Sequence, residues 1–247
     1  MKCLILAAGY ATRLYPLTEN FPKPLLEVGD KPILDWLIDD MAATGLIDEY
    51  IVISNHKFAH IFEEWAAKNN KVTIRVLDDG TTSNDNRLGA VRDIEFAIDQ
   101  LQLDDDLLVM AGDNLLDFSL EAFIRYAKEK NATCVMRYYE GDEARLHKSG
   151  VVEVDADDRI LSMEEKPAEP KSHWCAPAFY CYTKEDSRLI KKAIENGCGV
   201  DAPGSFISWL STQTAVYAWE MPGKRYDIGN LASYEEVKKM FKGGFER

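Results

Sequence analysis

Residues 1–26 constrain what this chain can fold into more than any other stretch. An apolar run over residues 2–6 reads as a buried strand. It passes straight into Ala7-Ala8-Gly9-Tyr10-Ala11-Thr12-Arg13-Leu14-Tyr15-Pro16-Leu17-Thr18, and after a short polar gap comes Pro22-Lys23-Pro24-Leu25-Leu26. A tight turn after a strand offers backbone N–H groups to an anion. Arg13 adds a planar fork and Lys23 a compact point charge, suited to different phosphate oxygens. The prolines on both sides of Lys23 restrict the backbone that carries it. Gly9 alone would fit an ordinary βα turn. A P-loop needs Gly-Lys-Ser/Thr and a dinucleotide fingerprint needs three spaced glycines; this string has neither. Taken whole, it is built to grip a polyphosphate.

At 247 residues the chain can bury one sizeable core. A formal charge of −13 without a basic stripe argues against nucleic acid or an anionic membrane as partner. An anionic nucleotide must then be met by a local basic cluster, together with a divalent metal. The five cysteines form no Cys-x-x-Cys pair, which favours free thiols in a reducing cytosol. The N-terminal residues lack the features of a signal peptide and no run is long enough to span a bilayer, so the expectation is a cytoplasmic protein.

Strand and helix alternate up to about residue 140. Strands are expected at 2–6, 50–54, 72–77, 107–110 and 132–138, and amphipathic helices at 32–44, 59–68 and 89–101. This succession predicts a mostly parallel sheet with right-handed crossovers. Beyond it, 150–154 and 160–164 flank an Asp-rich turn and read as a hairpin. A strand at 179–182 leads through a Thr183 cap into a helix ending by Gly197, followed by a strand at 214–220 and a helix at 233–241. The expectation is one domain whose two halves, about 1–140 and about 141–247, differ in rhythm. No hexapeptide repeat is visible.

Residues 107–114 form an apolar strand ending in Gly112-Asp113-Asn114. The carboxyl end of a parallel strand is where open α/β sheets bind ligands. Beside a triphosphate, the hard oxygens of Asp113 suit Mg²⁺.

Leu6-Ala7-Ala8-Gly9-x-x-Thr12-Arg13-Leu14-x-Pro16-Leu17-Thr18 with Pro22-Lys23-Pro24 resembles the signature of the sugar-1-phosphate nucleotidyltransferases. Many members carry glycine where this chain has Ala11. The resemblance implies a three-layer α/β/α, Rossmann-like (GT-A-like) fold with a mostly parallel mixed sheet, in the short form without a β-helix domain. It implies that Leu6, Ala8, Gly9, Tyr10, Arg13, Lys23 and Asp113 face the nucleotide. Arg225-Tyr226-Asp227-Ile228-Gly229 resembles the motif whose Asp completes the metal site, so Asp113 and Asp227 would hold Mg²⁺. Thr82 and Gly89, in a polar loop opening a helix, match the base-reading stretch, although a plain helix cap accounts for the same residues.

Glu164-Glu165-Lys166-Pro167 matches an element in which Glu holds sugar hydroxyls and Lys the sugar phosphate, and Gly150 matches a sugar-contacting glycine. Trp174, Tyr180 and Tyr226 are aromatic candidates for the acceptor pocket, with core packing as their default role. The implied partners are an NTP and a phosphorylated small molecule, and a homo-oligomer is compatible with the sequence. The implied reaction is Mg²⁺-dependent transfer to a sugar 1-phosphate. Transfer of a cytidylyl group to phosphocholine and a non-catalytic regulatory homologue are the alternatives.

Overall fold

The computed structural model describes residues 1–241 and 243. The chain divides into two compact units. One comprises Met1–Arg87, Ala111–Ala122 and the segment from Pro222, and the other Leu88–Met110 and Phe123–Met221.

The first unit opens with β1 (Lys2–Leu6), then α1 (Ile33–Thr44), β2 (Glu49–Ser54), α2 (His56–Lys68) and β3 (Ile74–Asp78). β1 pairs parallel with β2, and β2 with β3. Cys3, Leu4 and Ile5 of β1 and Tyr50 to Ile53 of β2 are all buried, as expected of strands covered on both faces. In α1 the side chains of Ile33, Leu34, Leu37, Ile38 and Met41 are buried at helical spacing. The helix stops at Gly45, whose φ of 65° is the left-handed cap that glycine adopts without strain. α2 begins three residues before the expected position because Asn55 caps it, accepting the Phe58 N–H at 3.1 Å.

The chain continues through α3 (Ala90–Leu101) and β4 (Leu107–Ala111), contributes β5 (Asn114–Leu116) to the first unit, and moves on through α4 (Glu121–Lys130). The second unit adds β6 (Thr133–Tyr139), β7 (Gly150–Val154), β8 (Ile160–Glu165), β9 (Trp174–Ala176) and β10 (Phe179–Tyr182), then α5 (Gly204–Leu210) and β11 (Val216–Glu220). Here pairing is mostly antiparallel: β10 with β4 and β6, β9 with β6 and β7, and β8 with β7. β11 joins β6 in parallel.

The β7–β8 hairpin turns on Asp155, whose side chain accepts from the N–H groups of Asp157 and Arg159. The Thr183 cap is present, accepting the Asp186 N–H at 3.1 Å. The single helix expected after it is two short pieces, Lys184–Ser187 and Ile190–Glu195. A tight turn separates them, with the Leu189 N–H reaching back only three residues to Asp186.

β12 (Arg225–Asp227) and α6 (Leu231–Met240) complete the first unit, β12 pairing antiparallel with β5. All five cysteines are free, four of them buried. No helix of the described residues is long and apolar enough to cross a membrane.

Candidate active site

The loop leaving β1 is tied down at several points. The Ala7 N–H bonds to Ile53 O at 2.9 Å, and the Gly112 N–H to Leu6 O at 3.1 Å. Asn55, fully buried, caps α2 with its oxygen and donates its amide to Ala8 O at 2.9 Å. Tyr10 Oη donates to Thr81 O at 3.1 Å. Gly9, between these anchored residues, is exposed, and a Cβ there would meet nothing within 4 Å. Ala11 follows at φ 45°, ψ 42°, a left-handed conformation in which an L side chain is strained. That backbone geometry explains why glycine is the common residue at this place in the resembling sequences. Thr18 Oγ1 donates to Ala11 O at 2.8 Å and holds the bend.

Lys23 opens a single 3₁₀ turn after extended Pro22. Its side chain is 9 % exposed, and its Nζ donates to Asp113 Oδ2 at 2.8 Å. A Cβ at Gly112 would lie 2.9 Å from Ile5 Cγ2, so a side chain there would crowd β1, whereas Pro24 Cβ at 3.5 Å is at ordinary contact distance. Asp113 Oδ1 accepts the Asn114 amide at 3.1 Å, and Asn114 Oδ1 accepts from Arg225 Nη1 at 2.7 Å. Arg225 Nη1 is also 3.4 Å from Asp227 Oδ1, and Asp227 faces Asn114 in the β5–β12 register. Burial pushes the Asp113 carboxyl up, but the Lys23 ammonium outweighs it and Arg225 adds to the effect, so Asp113 stays below the ordinary carboxylate range. Leu6, Gly9, Arg13, Lys23, Asp113 and Gly229 line one cavity.

The donor set suits Mg²⁺. Asp113 and Asp227 offer hard carboxylate oxygens joined through Asn114 and Arg225, and one or two carboxylates are what this ion takes beside substrate phosphates. Among the described residues no group of three or more His, Cys, Asp or Glu is placed to hold a metal ion.

The underside of the cavity is apolar. Leu14, Leu26, Val28, Ile33 and Leu115 form one buried cluster with Ile228, Tyr234 and Val237. Tyr234 Oη donates to Glu27 O at 2.7 Å. Tyr226, an aromatic candidate for the acceptor pocket, packs edge-on against Phe241 in this cluster.

Thr82 is exposed, and its hydroxyl accepts from Asn86 Nδ2 at 3.2 Å. Gly89, in the second unit, has φ 93°, and a Cβ there would be 2.6 Å from Val200 O. The Ala90 and Val91 N–H groups bond to Asp201 O and Val200 O, so the backbone that approaches Gly89 closely is the chain's own.

Within the second unit, Gly150, Glu165 and Lys166 come together. Gly150 faces Glu165 across β7 and β8, and the Lys166 N–H bonds to Ser149 O at 2.9 Å. Glu165 Oε1 sits where a Cβ on Gly150 would be 3.1 Å away and a Cβ on Gly204 only 2.0 Å away. Burial raises the Glu165 carboxyl above its ordinary value, against the opposing pull of Lys166 and a hydrogen bond from the Gly204 backbone. Tyr180 is 1 % exposed and packs beside Tyr182, behind this carboxylate. The Trp174 ring covers the Arg137 guanidinium, 4.6 Å from its centroid.

Sequence reasoning missed Asn55 and Gly204. An Asn between an apolar run and a helix is a cap signal that points to Asn55, whereas nothing in Ala202-Pro203-Gly204 announces a carboxylate neighbour.

The fold is that of an α/β protein with a large mixed sheet and a parallel core. The chain belongs to the Nucleotidyl transferase family, whose profile matches residues 2–242. It is 30 % identical over 239 residues to the bifunctional protein GlmU of Methanocaldococcus jannaschii, covering 97 % of this chain and 54 % of that protein. It is 26 % identical over 248 residues to the glucose-1-phosphate adenylyltransferase of Fervidobacterium nodosum, covering 95 % of this chain and 59 % of that one. The chain thus spans somewhat over half the length of these curated relatives. Its fold matches a Bacillus anthracis protein described as a glucose-1-phosphate thymidylyltransferase, with TM-score 0.83 at 21 % identity over 100 % of this chain and 98 % of that one. It also matches a UDP-glucose pyrophosphorylase complexed with UDP-glucose, with TM-score 0.83 at 19 % identity over 97 % of each chain.

Proposed function

We propose that this chain transfers the nucleotidyl group of a nucleoside triphosphate to the phosphate of a sugar 1-phosphate and releases pyrophosphate. The observation that carries this reading is the buried Lys23 ammonium held against Asp113 in a cavity that Arg13 and Gly9 also line. Family membership supports the reaction class, and the glucose-1-phosphate adenylyltransferase relative supports a sugar phosphate as acceptor.

In this reading an acceptor phosphate oxygen bonds to the α-phosphorus in line as the bond to the β-phosphate bridge breaks. A phosphate monoester has a second pKa near ~6, so the attacking group is already anionic at neutral pH and no general base is required. Catalysis is then positioning and charge neutralisation. Arg13 takes charge on the departing pyrophosphate and Lys23 that on the α-phosphoryl group. Asp113 and Asp227 would hold Mg²⁺, which supplies charge neutralisation and alignment of the phosphates. Leu6, Ala8, Gly9 and Tyr10 shape the nucleotide side, with Thr82 and Gly89 as base-side candidates. Gly150 and Glu165 are assigned to acceptor hydroxyls, Lys166 to the acceptor phosphate, and Tyr180 to the packing behind Glu165. Such a reaction belongs where nucleoside triphosphates are kept, in the cytoplasm.

The test is pyrophosphate release with Mg²⁺, each of the common nucleoside triphosphates, and a panel of hexose 1-phosphates, amino-sugar 1-phosphates and phosphocholine. Release that requires one triphosphate and one sugar 1-phosphate is the expected result. Release only with phosphocholine would overturn the acceptor class, and silence across the panel would overturn the transfer reading.

A further inference from the structure

Lys23 and Asp113 neutralise one another at 2.8 Å, yet the reading above gives each a different ligand, polyphosphate for Lys23 and a divalent cation for Asp113. Neither group is easily released alone. With its side chain 9 % exposed, Lys23 would become a desolvated, uncompensated charge if Asp113 turned away. The other Asp113 oxygen is engaged as well, by the Asn114 amide at 3.1 Å. That amide cannot invert, because its own oxygen accepts from Arg225 at 2.7 Å. A cation arriving at Asp113 therefore meets the Lys23 ammonium, and a phosphate arriving at Lys23 meets the Asp113 carboxylate.

We propose that Lys23 and Asp113 form an exchangeable latch which makes the divalent cation and the polyphosphate bind together. Either ligand alone competes with the pair, the cation at a 38 % exposed carboxylate already held by Lys23 and the polyphosphate at a buried ammonium already held by Asp113. The two together replace one ion pair by two, Lys23 with phosphate and Asp113 with the cation. No covalent change is involved. The coupling is reciprocal, so removing either latch residue must strengthen the lone binding of the other residue's ligand. The inference rests on the nucleotidyl-transfer reading for the identity of the ligands, but its signature is a binding property.

The experiment uses the full chain and two probes, Mn²⁺ alone, and inorganic triphosphate in the presence of EDTA. Affinities are measured by titration calorimetry for the wild type, Lys23→Met and Asp113→Asn, with thermal unfolding to confirm that each variant is folded. Lys23→Met is expected to bind Mn²⁺ about tenfold tighter or more than the wild type. Asp113→Asn is expected to bind metal-free triphosphate tighter by a similar factor. That is the scale on which an opposite charge at this distance changes a carboxylate's affinity for a proton. If one variant does not fold, the other arm decides alone. Lone-ligand affinity no better than wild type overturns the latch, and if the wild type still binds the Mn²⁺–triphosphate complex, the transfer reading survives. Failure of the wild type to bind that complex overturns both.

Discussion

Asp113 and Glu165 are both carboxylates near a lysine, and their surroundings drive them in opposite directions. Asp113 lies beside Lys23, 90 positions away in sequence and 2.8 Å away in space, and is held ionised. Glu165 is followed directly by Lys166, yet its carboxylate turns between Gly150 and Gly204, and burial raises it. Adjacency in sequence is therefore a poor guide to which charge neutralises which. What decides is where the fold lets chain segments approach: Gly112 packs close against Ile5 just before Asp113, and Gly204 brings a helix start to Glu165.

The largest effect should come from breaking the first of these pairs. Lys23→Ala or Asp113→Ala is expected to lower turnover at least ~10²-fold, the scale for removing one preorganised electrostatic contact. Steady-state kinetics with the best substrate pair would show it, and near-normal turnover would remove both residues from the chemistry. Next is Gly204→Ala. Its new methyl group would fall on Glu165 Oε1, so the variant should lose about 1–3 kcal/mol of stability, as overpacking does, read as a lower denaturant midpoint. An unchanged midpoint would mean that the Glu165 slot is loose.

A subtler contrast lies in pH. The depressed Asp113 value contributes stability that is present above the unfolded carboxylate pKa and lost as pH falls through the folded value. The raised Glu165 value does the reverse: stability is greatest below the ordinary glutamate value of 4.5 and declines as pH rises through the folded value. At pH 7, Asp113→Asn should therefore be less stable than wild type and Glu165→Gln more stable. Both differences should shrink on acidification, and unfolding curves at several pH values would show whether they do. The smallest effect is expected from Ala11→Gly. Relief of left-handed strain is nearly offset by the greater freedom of glycine in the unfolded chain, leaving a change within about 1 kcal/mol. A larger loss would mean that the packing of Ala11 against the cluster beneath the loop outweighs its backbone strain.

The cavity-lining residues were legible because they are nearly contiguous. Gly9, Arg13 and Lys23 share one string, and the apolar run before Asp113 announces a strand end. β1 was readable to the residue and β7 likewise, since apolar runs bounded by turns leave little choice. The β5–β12 ribbon was not readable. Each of its strands has three residues, too few for any period to emerge, and pairing them requires Asn114 to find Asp227 across the chain. The Glu165 slot was hidden for the same reason. Gly204 acquires its role only from a neighbour, and a lone glycine after proline reads as punctuation.

The cluster beneath the loop after β1 also has a bearing on kinetics. Tyr234 reaches Glu27 across 207 positions, so the helix that supports this loop is synthesised long after it. Closing so long a span must precede the reward from Leu14, Leu26 and Val237 packing together, which makes this a slow contact to form. During synthesis the loop would stay unsupported until that helix had emerged. A protease pulse on nascent chains should find residues near Arg13 open after most of the second unit is already protected.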